Sequence, residues 1–421
     1  MNDMRTHTRA LFLTTLLLLP ATGCSDRNPG VHQFSESIED GVPVARNTGG
    51  PRHEGELFDF EQVATLHQDT GVPESLLYPG QTRTWDAKGF VMDEAGWFYV
   101  QDRGNCRLAV FDPGGRYARG IGRRGDGPGE FGFPHLTGIT PDGLLEVFDD
   151  SLHRISFFRT DGLLQEVLTL TAGSGRVWYN FADDTFTERH YLMGKVEEIT
   201  TEAAGFRTFN RAGDILGQAS TPAIELYYDY YWAGHKGGVG GESLPFTSDP
   251  DMSWAGTRGV CLINGREPAV WCYHTDGTLL RKIILDLPVQ MVTRADRLRY
   301  TADLEAQIAG AGGDVLDRLM AVRETLVFPR TRSNWRSISV DDRGYLWLEV
   351  PEWEVDIHGV GEGCLFQVLS PDGEFLGSAR APAAGRIMNG HLLGVVSDRE
   401  TGREEYVAWR LDPRPEGFVY P

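Results

Sequence analysis

Past Leu19 the chain has no apolar run long enough to cross a bilayer, which excludes a membrane-spanning helix in its body. Basic charge is short as well. Lys and Arg total 40 against 60 Asp and Glu, and the net charge of -20 argues against nucleic acid or an anionic lipid surface as the main partner. Cysteine is scarce: there are five, none in CxxC or CxxH spacing, so a structural zinc site has no ligands to draw on. Catalytic signatures are missing too. There is no GxSxG elbow, HExxH helix or EF-hand loop, and His53-Glu54 lacks a second histidine four residues on. Two glycine-rich stretches, Gly122 to Phe131 and Gly234 to Gly241, lack the Gly-Lys-Ser/Thr ending and following helix of a phosphate loop; they read as a structural crossover and a flexible loop.

What the chain does have is glycine and aromatic residues in a regular rhythm. From Gly89 to Phe131 four short runs rich in aromatic and β-branched residues follow one another: Phe90 to Met92, Trp97 to Val100, Arg107 to Phe111 and Tyr117 to Ile121. Each is closed by a Gly, Asp or Pro turn signal, the pattern of a four-stranded antiparallel meander. Such a sheet cannot bury both of its faces alone, and the unit does recur. Turn glycines Gly96 and Gly115 are 19 residues apart, as are Gly143 and Gly162 in the next copy, and Asp102 and Arg107 match Asp149 and Arg154.

An aromatic residue or Leu four positions before a turn glycine marks successive third strands: Phe111, Phe158, Phe209, Tyr273 and Leu369. Tyr406 to Leu411 gives a sixth third strand with no fourth strand after it. Leu57 to Leu66 is a strand-like run without a blade of its own, so it is expected to complete the last blade and close the ring without an exposed edge. The expected fold is all-β: a six-bladed β-propeller of four-stranded antiparallel blades over residues 56–421. Val289 to Val327 breaks the rhythm with helical apolar spacing at Leu298, Leu304, Ile308, Val315, Leu319 and Val322. It reads as two amphipathic helices inserted between blades and joined at Gly310 to Gly313.

The run Tyr99 to Phe111, with Asp102, Asn105 and Arg107, resembles an NHL-type repeat, and Gly125 to Phe131 resembles a loop typical of bacterial six-bladed β-propeller lipoproteins. The resemblance implies a propeller fold over roughly residues 57–413. It implies little about activity, because six-bladed propellers host lactonases, lyases, oxidoreductases and plain binding modules.

The N-terminus fits the lipoprotein resemblance. Arg5 and Arg9 precede the apolar Leu11 to Leu19, and Ala21-Thr-Gly-Cys24 ends in small residues before a cysteine. Residues 1–23 are expected to be a signal peptide, Cys24 the lipidation site, and 24–55 a flexible tether holding the protein at a periplasmic or cell-surface membrane, with no other membrane contact. Cys261 and Cys272 flank the turn Asn264-Gly265, so a cross-strand disulfide is one reading and a pair of free thiols the other. Cys106 and Cys364 read as single buried thiols.

Tight turns fall on one face of the expected ring and every long insertion on the other, and loops concentrated at one end of a rigid scaffold are where binding resides. Candidates on that face are Asp102, Asn105, Arg107, Asp149, His153, Arg154, Glu349 and Trp353. Each Asp–Arg pair either orders its own hairpin or lines a polar central funnel. The aromatic run Glu225 to Trp232 reads as a strand with inward rings, and Glu352-Trp353-Glu354 sets another ring beside acids; both have the composition to stack a sugar or a peptide ring. The expected function is an exported, lipid-anchored binding or scaffold protein for a protein, peptide or glycan. The alternative is a lactonase-like hydrolase or lyase with an axial divalent ion such as calcium, for which Asp102, Asp149 and Glu349 would converge at the axis. No cofactor is expected otherwise.

Overall fold

The computed structural model describes residues 31–69, 71–78, 89–170, 177–180, 184–196, 199–232, 238–254, 259–353, 363–397 and 404–420. The signal peptide and Cys24 lie outside the described residues, as does Glu354.

Six small antiparallel sheets form a six-bladed propeller. Blade 1 is Phe90–Met92, Phe98–Asp102, Arg107–Phe111 and Tyr117–Ile121; blade 2 is Pro134–Ile139, Leu145–Asp149, Arg154–Phe158 and Leu164–Thr169. Blade 3 is Val177–Asn180, Thr185–Val196, Ile199–Phe209 and Ile215–Ser220. Blade 4 is Asp251–Trp254, Val260–Ile263, Ala269–Tyr273 and Leu279–Leu285. Blade 5 is Ser337–Val340, Leu346–Val350, Cys364–Leu369 and Phe375–Ala381. Blade 6 is Gly385–Met388, His391–Ser397 and Glu404–Pro413, completed by Phe58–Thr65, which pairs antiparallel with Glu404–Pro413 and closes the ring.

The core lies between blades, not within them. Phe90, Val100 and Phe111 pack toward Leu393 and Tyr406 of blade 6, while Val91, Tyr99 and Val110 pack toward Leu145, Val147 and Phe158 of blade 2. A middle strand is therefore buried on both faces, which is why Phe98–Asp102 and Arg107–Phe111 read as nearly continuous apolar runs and only the outer Tyr117–Ile121 alternates. Side chains of one blade also cap first-strand N–H groups of the next: Gln101 Oε1 accepts from Leu136 N at 2.9 Å and Asp251 Oδ2 from Ile338 N at 2.9 Å.

The expectation of a flexible tether over 24–55 is corrected from Gln33 on; residues 24–30 lie outside the described residues. Gln33–Glu39 and Val42–Thr48 form an antiparallel hairpin whose second strand adds in parallel to Leu279–Leu285, making blade 4 six-stranded. Asp40-Gly41, both at positive φ, is the hairpin turn signal; its polar flanks hide it in the sequence. The chain then follows the outer strand of blade 5, with Arg52 N and His53 N donating to Phe375 O and Leu376 O at 2.9 Å, before entering blade 6. One N-terminal belt thus covers the outer edges of three consecutive blades.

Blade 3 is enlarged. Its third strand also pairs with Ile224–Trp232, which pairs in turn with Gly238–Ser243. The aromatic run is a strand as expected, whereas Gly238 to Gly241, expected in a flexible loop, lies in a strand; residues 233–237 lie outside the described residues. The insertion folds as α1 (Arg294–Gly310) and α2 (Gly313–Thr325), with α1 opened by a reciprocal capping box between Thr293 and Asp296. Leu304, Ala321 and Val322 pack on Leu244, but Leu298 and Val315 of the expected stripe are exposed. Cys261 and Cys272 sit directly opposite one another in blade 4 and are joined by a disulfide; Cys106 and Cys364 are free, Cys106 buried and Cys364 half-buried.

Candidate functional site

The loop face carries the second-to-third turns and the interblade links, and most of the expected site residues on it are committed to holding the fold. Asp102, fully buried, accepts from Tyr78 N at 2.9 Å, Asn105 Nδ2 at 2.8 Å and Arg107 Nε at 2.8 Å. Arg107 also donates to the carbonyl of Glu74 at 2.7 Å. Asp149, equally buried, has different partners from those expected. It accepts from Gly132 N, Phe133 N and the Ser151 hydroxyl, while Arg154, its cross-strand neighbour, donates to the carbonyls of Asp126, Gly127 and Glu130. The Gly122 to Phe131 crossover is held from inside by this arginine. It also needs its glycine: Gly122 has φ of 78°, and a Cβ there would stand 2.2 Å from the Phe131 ring. His153 is exposed in the same turn, at φ of 44°.

A third member of this set is Asn264, fully buried, whose Oδ1 accepts from Arg266 N and Glu267 N and whose Nδ2 donates to Pro222 O. Asp102, Asp149 and Asn264 each stand nine residues before the strand-end aromatic, Phe111, Phe158 and Tyr273. That offset was the available signal for Asn264. In all three blades the residue fastens a second-to-third turn to backbone outside its own hairpin.

The expected axial convergence of Asp102, Asp149 and Glu349 is corrected by register. Asp102 and Asp149 stand four residues beyond the pairs Phe98–Phe111 and Leu145–Phe158, whereas Glu349 stands three beyond Leu346–Leu369. One step along a strand turns a side chain to the opposite face of its sheet. Glu349 instead binds Arg336 at 3.2 Å and the Ser337 hydroxyl at 2.8 Å. Among the described residues no three His, Cys, Asp or Glu side chains are grouped to hold a metal. At the axis, Arg386 of blade 6 reaches past blade 1 to donate to Thr137 O of blade 2 at 2.8 Å, and Asn389 Nδ2 donates to Met92 O at 2.9 Å.

Trp353 leads to a different place. On the loop face a cleft of about 370 Å³ opens between the link from blade 4 to blade 5 and the second-to-third loop of blade 5. Pro288, Val350, Pro351 and Trp353 supply its apolar wall; Gln290, Asn334 and Gln367 bring amides, and Arg332 and Glu352 bring charge. The cleft is braced by the helical insertion. Phe246 meets Trp353 edge-on with centroids 5.9 Å apart, meets Tyr300 of α1 at 6.1 Å, and lies under the Arg332 guanidinium at 5.6 Å. Arg299 of α1 donates to Trp353 O at 2.6 Å. Asp296, the capping residue of α1, accepts from Arg332 at 2.5 Å; burial alone would raise its carboxyl, but the hydrogen bonds from Arg332 and Thr293 bring it below the usual value.

Comparison with known proteins agrees with the fold. Residues 90–167 match a family model described as 6-bladed beta-propeller. No curated protein matches the chain. Similar solved structures include a member of the DUF4221 family from Bacteroides vulgatus (11% identity, 85% of this chain and 99% of that one, TM-score 0.43). A gluconolactonase from Xanthomonas campestris (11%, 86% and 99%, TM-score 0.34) and the PQQ-bound aldose sugar dehydrogenase of Streptomyces coelicolor (12%, 85% and 99%, TM-score 0.39) also match. Among the described residues no helix is long and apolar enough to cross a membrane.

Proposed function

We propose that this chain is an exported binding protein, anchored through a lipid on Cys24, that takes a small polar ligand in the cleft between blades 4 and 5. The observation that carries this reading is the cleft itself. It combines an indole, proline rings and amide groups in about 370 Å³, within the usual range for a small-molecule site, on the face that bears the insertions. The axial-metal hydrolase reading has no comparable support, since its three acids are engaged separately.

The anchor rests on the basic, apolar and small-residue order of Arg5 to Cys24 and on the likeness of Gly125 to Phe131 to lipoprotein propeller loops. With the hairpin docked on blade 4, only residues 25–32 separate Cys24 from the first strand, a reach of roughly 30 Å when fully extended. The rim of blade 4 would then stay close to the membrane.

Two measurements test the proposal. Cys24→Ser is expected to move the protein from the membrane fraction to the soluble fraction, and unchanged fractionation contradicts the anchor. A thermal-shift screen of small polar compounds is expected to find ligands that stabilise the wild type and not Trp353→Ala. Hits that stabilise both proteins equally would move the site elsewhere.

A further inference from the structure

We propose that the cleft takes a neutral saccharide, an inference that rests on the binding reading above and names its ligand class. The two charged side chains on its wall are already neutralised. Arg332 is paired with Asp296 at 2.5 Å, and Glu352 holds Arg380 through two bonds of 3.0 and 3.1 Å. A charged ligand would lose hydration on entry without meeting an unpaired opposite charge.

What remains open is neutral and directional. The buried Trp335 indole donates to Gln367 Oε1 at 2.8 Å; this fixes the amide and leaves its Nε2 donors without a partner among the described residues. Asn334 is held the other way round. Its Nδ2 donates to Arg266 O, and its Oδ1 has no partner among the described residues. The Gln290 amide has no side-chain partner among the described residues either. One cleft therefore offers an oriented donor, an oriented acceptor and a group that can serve as both, which suits hydroxyls that each donate and accept.

The apolar side of the cleft is complementary in chemistry. Pro288, Pro351 and Trp353 line it, and an indole is a group that can stack on the C–H face of a pyranose. Trp353 is already fixed by Phe246, by Arg299 and by its own indole N–H donating to Ser333 O at 3.4 Å, so stacking on it needs little further ordering. The volume, at the small end for ligand cavities, suits a mono- or disaccharide.

The test is calorimetric titration of the full chain, purified in a detergent without a sugar headgroup, with cellobiose, maltose and N,N′-diacetylchitobiose. Dialanine and digalacturonate serve as comparison probes. We expect a neutral disaccharide to bind, and Trp353→Ala and Gln367→Glu each to weaken it at least tenfold. Gln367→Glu keeps an oxygen for Trp335, so it tests the open donor even if Trp353→Ala folds poorly. Phe133→Ala, on the same face away from the cleft, is expected to change nothing. Binding of dialanine or digalacturonate alone, lost in Trp353→Ala, overturns the saccharide and leaves the cleft standing. Neutral disaccharide binding that both cleft variants leave intact overturns the cleft as well. Failure of all three neutral disaccharides to bind overturns the saccharide assignment.

Discussion

At the scale of single residues, the loop face shows how one position can look functional and be structural. Asp102, Asp149 and Asn264 are buried polar groups whose partners are mostly backbone donors and acceptors, and that arrangement holds turns in place. Removing the Asp102 carboxylate takes the shared acceptor from Arg107 Nε, Asn105 Nδ2 and Tyr78 N. Asp102→Ala is therefore expected to destabilise by about 3 kcal/mol in urea unfolding, and a loss near zero would contradict its bracing role. Glu202 gives a pH dependence. Burial lifts its carboxyl to about 7, repulsion from Asp249 adds to this, and Arg189 opposes it. The folded chain then holds a proton that the unfolded chain has released, so stability falls as pH rises from about 4.5 to about 7 and levels off above. Glu202→Gln should flatten that slope; a wild-type profile already flat across the window would refute it. The spacing of Asp102 and Asp149 and the Asp102–Arg107 pair were legible in the sequence, but the backbone partners were not, because Tyr78 and Phe133 are brought in by links between blades.

At the scale of elements, the hairpin 33–48 and the helical insertion show which local signals survive their surroundings. The helices were legible from apolar spacing and the glycine break. Their buried side was only partly so, because it follows Leu244 and Phe246 of a distant insertion and not the mean stripe. The hairpin was missed because its stability comes from docking: Asn47 Nδ2 donates to Gly373 O at 2.8 Å and its Oδ1 accepts from Phe375 N at 2.7 Å, tying the belt to blade 5. Asn47→Ala strands both backbone groups in a buried place and is expected to cost about 2 kcal/mol of unfolding free energy. Exchange of the 33–48 amides should rise with it; amides that exchange as in wild type would mean that the belt is held by its strands alone.

For the whole molecule, the 19-residue spacing of turn glycines and the missing last strand were enough to give six blades and their closure, because each repeat reports the same sheet. The cleft had no such periodic signal. It is assembled from residues 287–290, 332–334 and 350–353 with Gln367, which the ring brings together around a helical insertion, and of these Trp353 and its neighbour Glu352 stood out in the sequence. The most direct test of a binding site there is hydrogen–deuterium exchange of the full chain with and without saturating neutral disaccharide. Slower exchange is expected at 287–290, 332–334 and 350–353. Slowing confined to the axial strands Phe90–Met92, Pro134–Ile139 and Gly385–Met388, or no slowing anywhere, would contradict it.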